Sequence, residues 1–127
     1  MKAPLAQLRF DELDDALLVG RVVGEIESAN ADALRGALLR HLRNDSAGLV
    51  LDLSSTSYLD SAAIELLFEL ARRLRTHRQR LCLVVPAGAP MRRVLDLCEI
   101  DTVAEIHETI DEALRTMHED SEGGGAG

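Results

Sequence analysis

The stretch that decides the fold runs from Leu49 to Leu74 and reads LVLDLSSTSYLDSAAIELLFELARRL. Apolar residues alternate at its start, which predicts a strand buried more deeply on one face. A polar turn follows, and after Asp60 apolar residues recur at i, i+3, i+4 and i+7, which predicts an amphipathic helix. Ser61 then lies at the helix N-terminus, where free backbone N–H groups and the positive end of the helix dipole favour a phosphate.

Segments typical of strands and helices alternate on both sides of this stretch. The short acidic connection Asp11–Asp15 favours an antiparallel first pair of strands, whereas strand–helix–strand crossovers favour parallel pairing further on. Asn30 or Ser28 is expected to cap the first helix. The predicted order is β-β-α-β-α-β-α-β-α, an α/β fold in one domain over residues 5–118, with a flexible Gly-rich tail over residues 119–127.

The composition restricts the kinds of partner. The formal net charge is −8 and only Phe10, Phe68 and Tyr58 are aromatic, so both electrostatics and the lack of stacking platforms argue against nucleic acid. The two cysteines, Cys82 and Cys98, fall in apolar segments and are expected to be buried, reduced thiols rather than part of a metal or disulfide framework. No signal core or membrane-length apolar run is apparent, so we expect a soluble cytoplasmic protein without direct membrane insertion.

No catalytic constellation emerges, so the protein is not expected to be an enzyme or to carry a cofactor. A phosphate-receiver domain needs a lysine beside its acceptor aspartate, but the chain contains a single lysine, Lys2. The glycines do not form a phosphate-binding motif. His41 and His77 fall late in predicted helices and are expected at the surface rather than in a triad. His107 and His118 lack metal-ligand spacing to each other.

Two interpretations of Asp60-Ser61 remain open from the residues alone. Aspartate and serine are both strong N-cap residues, so the pair has a purely structural explanation. The alternative is that Ser61 accepts a phosphate. Local chemistry favours capping.

Three segments resemble one family, the STAS domains that include the anti-sigma factor antagonists. The resemblance is carried by GRVVGEIESANADALRGAL (residues 20–38), by the stretch from Leu49 to Arg75, and by LCLVVPAGAPMRRVLDLCEIDTVAEIHETIDEAL (residues 81–114). It covers roughly residues 5–117. It implies a mixed sheet of about five strands with about four helices mainly on one face.

The resemblance also implies a function. In the antagonist branch, the serine after the aspartate of a D-S-x-G motif, here Ser61, is phosphorylated by an anti-sigma factor with an ATP-binding kinase fold. The unphosphorylated form binds that factor and so regulates sigma-factor-dependent transcription in bacteria, and a protein phosphatase resets the switch. The partner-binding residues expected from this resemblance are Glu27, Ser28, Asn30, Tyr58, Asp60, Ala62, Ala63 and Glu65.

The chain departs from the family pattern at three positions. Ala63 replaces the glycine of D-S-x-G, Glu65 replaces the glycine of the next L-G pair, and Glu27 replaces the aspartate of a G-E-x-D turn. These changes keep a second function open: an unswitched STAS module, such as a scaffold subunit of a signalling complex or the cytoplasmic subunit of an ABC-type lipid transporter. In that case Ser61 would serve only as a cap.

Overall fold

The computed structural model describes residues 7–12 and 17–126, with side-chain environments for residues 7–10 and 17–119. Part of the predicted acidic turn therefore lies outside the described residues. Within these residues, six strands, four helices and a 3₁₀ turn at Ile100–Thr102 follow one another. Their bounds are β1 (Gln7–Glu12), β2 (Leu17–Ile26), α1 (Ala31–His41), β3 (Gly48–Asp52), β4 (Thr56–Leu59), α2 (Ser61–Thr76), β5 (Arg80–Val84), α3 (Pro90–Leu97), β6 (Glu105–His107) and α4 (Ile110–Ala126).

The strands form one mixed sheet in the order β1-β2-β3-β5-β6. β1 and β2 pair antiparallel, as the short connection predicts, and the other pairs are parallel. The α/β class and the mixed sheet are confirmed. Every residue of β3 is buried, as expected for a central parallel strand covered on both faces.

The short strand β4 was missed, because Thr56–Leu59 falls in what the sequence indicates is a polar turn. It pairs in parallel with the far half of β2, beyond an irregularity at Gly24, whose φ is 109°. The Thr56 hydroxyl is buried and donates a hydrogen bond to the carbonyl oxygen of Val22 at 2.9 Å. This strand depends on a partner that lies about thirty residues earlier, which no local pattern reveals.

The two faces of the sheet carry unequal cores. α1, α2 and α3 pack on one face, where the larger cluster includes Leu38, Leu51 and Leu67. α4 covers the other face with Ala113 and Met117. The prediction of four helices mainly on one face is therefore confirmed. None of the helices in the described ranges is both long enough and apolar enough to cross a membrane.

The expectation that both cysteines are buried is wrong for Cys98, which follows α3. Met91 and Leu95 are buried, but Val94 is 41% exposed and Cys98 is also exposed, so only Cys82 of the two thiols is buried. The reason is that α3 ends at Leu97, Cys98 is its C-cap, and Glu99 takes up a left-handed conformation (φ 57°) that turns the chain away. The helix ends one residue before Cys98, whose side chain is left exposed.

The C-terminal stretch also differs from the expectation. α4 continues to Ala126, so the backbone is helical through most of residues 119–127, for which the sequence predicts a flexible tail. Extending an existing helix adds one hydrogen bond per residue and avoids the cost of nucleation, which offsets the poor helix propensity of glycine. The domain bounds and the mobility of the tail stay predictions.

Candidate functional site

Ser61 is the first residue of α2, and its side chain is exposed. The N-cap is Asp60, whose Oδ1 accepts a hydrogen bond from the backbone N–H of Ala63 at 3.0 Å. Within the described part of the chain, the Ser61 hydroxyl has no hydrogen-bond partner. Capping therefore accounts for Asp60 but gives no structural role to the Ser61 hydroxyl.

Asp60 also connects α2 to the loop between β2 and α1. Its Oδ2 accepts a hydrogen bond from the backbone N–H of Ser28 at 2.9 Å, and its own N–H donates to the carbonyl oxygen of Ile26 at 3.2 Å. One carboxylate thus fixes both the start of the helix and the neighbouring loop. As a result, Ser28 and Ser61 lie on adjoining exposed segments.

Asn30 organises the same loop from inside. Its side chain is buried, Oδ1 accepts from the N–H of Glu27 at 2.9 Å, and Nδ2 donates to the carbonyl oxygen of Glu25 at 2.8 Å. Asn30 occupies the N-cap position of α1, but it makes no side-chain capping bond. Asn30 is therefore the N-cap residue, one of the two expected, but it does not cap through its side chain. Its expected partner contact is corrected, because the side chain is buried and both of its polar groups are used within the loop.

Ala63 cannot contact a partner through its side chain. It is 0% exposed and packs in the larger core cluster with Leu66 and Leu67, because it lies three residues after Asp60 on the inner face of α2. The expectation that Ala63 contacts the partner is therefore corrected: its buried side chain cannot do so. The methyl group that replaces the family glycine points into the core and leaves the surface around Ser61 unchanged.

The remaining predicted residues lie on three adjoining segments. Tyr58 is 50% exposed on β4, where it is in register with Glu25 of β2. Glu65 is exposed one turn after Ser61, and Ala62, Glu27 and Asp60 are half-buried. We call this region the Ser61 surface; it comprises Glu27, Ser28, Tyr58, Asp60, Ser61, Ala62 and Glu65. It carries three carboxylates and no basic side chain.

A second group of chemically active side chains lies elsewhere and was not singled out from the sequence. Cys82 of β5 lies beside Glu105 and His107 of β6, and one ligand atom from each is within 4.8 Å of the others. The signal available in the sequence was the Glu105-x-His107 spacing, which places both side chains on one face of a strand. Only the parallel pairing of β5 with β6 brings the cysteine to them.

Comparison with known proteins gives a consistent result. A match to the STAS domain family covers residues 7–113. BtrV of Bordetella bronchiseptica, assigned as an anti-sigma factor antagonist, is 27% identical over 112 residues, which are 87% of this chain and 96% of that protein. The crystal structure of an anti-sigma factor antagonist from Mycobacterium paratuberculosis superposes with a TM-score of 0.80 and 26% identity, covering 93% of this chain and 99% of that one.

More distant structures share the fold. SpoIIAA in its unphosphorylated form is 17% identical, with a TM-score of 0.64 over 87% of this chain and 96% of that chain. The match to residues 7–113 spans most of the protein and includes every element from β1 to the first turn of α4. The chain therefore belongs to the STAS domain family.

Proposed function

We propose that this protein is an anti-sigma factor antagonist, which binds an anti-sigma factor of the serine-kinase type and is released when Ser61 is phosphorylated. The observation that carries the proposal is the exposed Ser61 hydroxyl, unpartnered within the described residues, at the first position of α2 beside the capping Asp60. BtrV and the Mycobacterium paratuberculosis protein are both named as anti-sigma factor antagonists, which supports the general role.

The electrostatics of the Ser61 surface explain how a phosphate would act. A phosphoserine adds about −1.5 to −2 charges at neutral pH. Within its own chain the group is tolerated, because the N–H groups at the start of α2 and the helix dipole favour an anion. In a closed interface, the same group would lie among the carboxylates of Asp60, Glu65 and Glu27, and it would lose its hydration.

The size of the effect needed is modest. A loss of about 3 kcal/mol of binding free energy weakens binding about a hundredfold. Because Ala63 points into the core, the substitution for glycine does not oppose the approach of a kinase to Ser61. Glu65 is the departure that does reach the surface, and we expect it to influence which kinase is accepted.

In this proposal the protein does no chemistry of its own. ATP and Mg²⁺ belong to the kinase partner, and a protein phosphatase regenerates the binding form. Sigma-factor-dependent transcription would follow the phosphorylation state, and the protein would act in the bacterial cytoplasm.

The test compares Ser61→Ala with Ser61→Asp. The Ser61→Ala protein, used as bait in a lysate of its native cells, is expected to retain a kinase-fold anti-sigma factor, which is identified by mass spectrometry and then purified. Binding of that partner is then measured by calorimetry. We expect Ser61→Ala to bind like the unphosphorylated wild type and Ser61→Asp to bind at least tenfold more weakly, since a carboxylate carries less charge than a phosphate.

Thr76→Asp is the matched control. Thr76 is exposed at the other end of the same helix, about 22 Å along the axis from Ser61. The Thr76→Asp substitution therefore adds the same charge as Ser61→Asp, but far from the Ser61 surface. It should bind like the wild type. Equal binding by Ser61→Ala and Ser61→Asp would instead favour the unswitched module, and retention of a membrane-transporter ATPase or a scaffold protein would identify which kind.

A further inference from the structure

Side chains on the edge strand β6 and on its neighbour β5 suggest a second site. We propose that Cys82, Glu105 and His107 bind one thiophilic divalent cation of the Zn²⁺ class. The Cys82 sulfur, a carboxylate oxygen of Glu105 and a ring nitrogen of His107 all lie within 4.8 Å of one another. Thiolate, carboxylate and imidazole are all ligands of Zn²⁺, and three protein ligands leave the fourth tetrahedral position to water.

The strand pairing explains why these three side chains converge. Cys82 is in register with Glu105 across the parallel β5–β6 pair. Glu105 and His107 are two residues apart, so their side chains leave the same face of β6. That face is the one covered by α4, because Cys82 packs with Ala113 and Met117 in the smaller core cluster.

His107 provides an independent indication of a ligand. Its Nε2 atom is buried and has no hydrogen-bond partner among the described residues. Buried polar atoms nearly always have a hydrogen-bond partner, so a buried nitrogen without one indicates a ligand that would bind to it. Nε2 lies 3.7 Å from Glu105 Oε1, which is too long for a hydrogen bond.

The distances suit a metal ion better than a direct contact. Zn–N and Zn–O bonds of about 2.0–2.2 Å place two ligands of a tetrahedral ion about 3.4 Å apart. The 3.7 Å separation between His107 Nε2 and Glu105 Oε1 is close to that value. The Cys82 sulfur lies within 4.8 Å of both of the other ligand atoms, so it can serve as the third ligand.

Arg80 orients the Glu105 carboxylate. It hydrogen-bonds Glu105 Oε2 through both Nε, at 2.8 Å, and Nη2. This leaves Oε1 directed toward His107. Metal-ligating carboxylates are commonly held by such an outer partner, which fixes their orientation.

The burial pattern indicates how an ion would enter and what it would do. Cys82 is 0% exposed, whereas the side chains of Glu105 and His107 are 37% and 19% exposed. Entry and the water ligand would therefore come from the β6 side. The bound ion would fasten the three-residue edge strand to β5. The site lies on the α4 face, opposite α2, and does not depend on the role proposed for Ser61.

Co²⁺ binding to the full-length Cys98→Ser variant tests the proposal. Cys98 is the exposed thiol and the chain has only two cysteines, so any thiolate-to-cobalt charge-transfer band in this variant reports Cys82. We expect a band that saturates at one equivalent of Co²⁺ and disappears when Zn²⁺ is added. Affinity should rise with pH, because binding displaces the Cys82 thiol proton and requires a neutral imidazole.

Glu105→Gln and His107→Gln, each combined with Cys98→Ser, are the matched variants. Both substitutions alter side chains that are partly exposed, so we expect the variants to fold. Circular dichroism verifies folding before metal is added. Each should weaken Co²⁺ binding at least tenfold. Zn²⁺ should raise the Tm of Cys98→Ser but not that of the His107→Gln double variant. Absence of the band, or equal affinity in folded ligand variants, would overturn the proposal.

Discussion

Asp60→Ala should loosen two elements at once, because one carboxylate holds both. Oδ1 caps α2 through the N–H of Ala63, and Oδ2 holds the N–H of Ser28. Loss of an N-cap costs about 1 kcal/mol. The bond to Ser28 is exposed, so water replaces it in part, and its loss adds about 1 kcal/mol. We expect the free energy of unfolding to fall by about 2 kcal/mol in total.

Asp60→Asn separates the two contributions. Asparagine caps helices as well as aspartate does, so the bond to Ala63 should persist. An amide that keeps its oxygen toward Ala63 presents its NH₂ group to the Ser28 N–H, and two donors cannot bond. The expected loss is therefore about half that of Asp60→Ala, on the order of 1 kcal/mol.

Urea unfolding and amide hydrogen exchange measure these effects. With a urea dependence of about 2 kcal/mol per molar, Asp60→Ala should lower the midpoint by about 1 M. In Asp60→Asn the Ser28 amide should exchange faster while the Ala63 amide keeps its protection. Glu65→Ala, which removes an exposed carboxylate from the same helix, is the control and should stay within about 0.5 kcal/mol of the wild type.

An Asp60→Ala protein that unfolds at the same urea concentration as Glu65→Ala would contradict this double role of the carboxylate. Exposure of the Ala63 amide in Asp60→Asn, with the Ser28 amide still protected, would contradict it as well. Either result would mean that the carboxylate does not join the helix to the loop.

Three further predictions concern stability and are measured by urea unfolding. Gly48→Ala should destabilise by about 3 kcal/mol, because the added Cβ would lie 2.3 Å from the Arg80 carbonyl oxygen and 2.7 Å from the Met117 methyl; a wild-type midpoint would contradict this packing. Asn30→Ala should cost about 2 to 4 kcal/mol, since two backbone groups lose their buried partner, and an effect below that of Glu65→Ala would refute it. Leu97→Gln should change stability by less than about 0.5 kcal/mol, because Leu97 is 73% exposed.

Periodicity predicted the elements that bury a long apolar stripe. β3 and α2 appear where the alternation and the i, i+3, i+4 pattern place them, since burying that pattern requires those conformations. β4 and the exposure of Cys98 were not predictable in this way. β4 forms only by pairing with a distant part of β2. The exposure of Cys98 depends on where α3 ends, and the chain turns away there because Glu99 has a left-handed backbone conformation.

The candidate site shows the same division between local and distant information. Ser61 could be found from its place after Asp60 at the start of an apolar helix. The sequence could not show whether the Ser61 hydroxyl caps the helix or lacks a hydrogen-bond partner, because aspartate and serine are equally good caps. The structure assigns the cap to Asp60 and turns Ala63 inward, so the glycine replacement does not alter the Ser61 surface.

We could predict the α/β class, the order of most elements and the position of Ser61 from the order of amino acids, because these follow from side-chain periodicity and turn chemistry over a few neighbouring residues. The side chains that meet across the sheet became known only from the three-dimensional structure. The bond from Asp60 to Ser28 spans 32 residues, and the Cys82–Glu105–His107 group exists only because β5 and β6 pair in one register. Such contacts are fixed by strand pairing and packing between distant segments, and no local pattern in the chain encodes them.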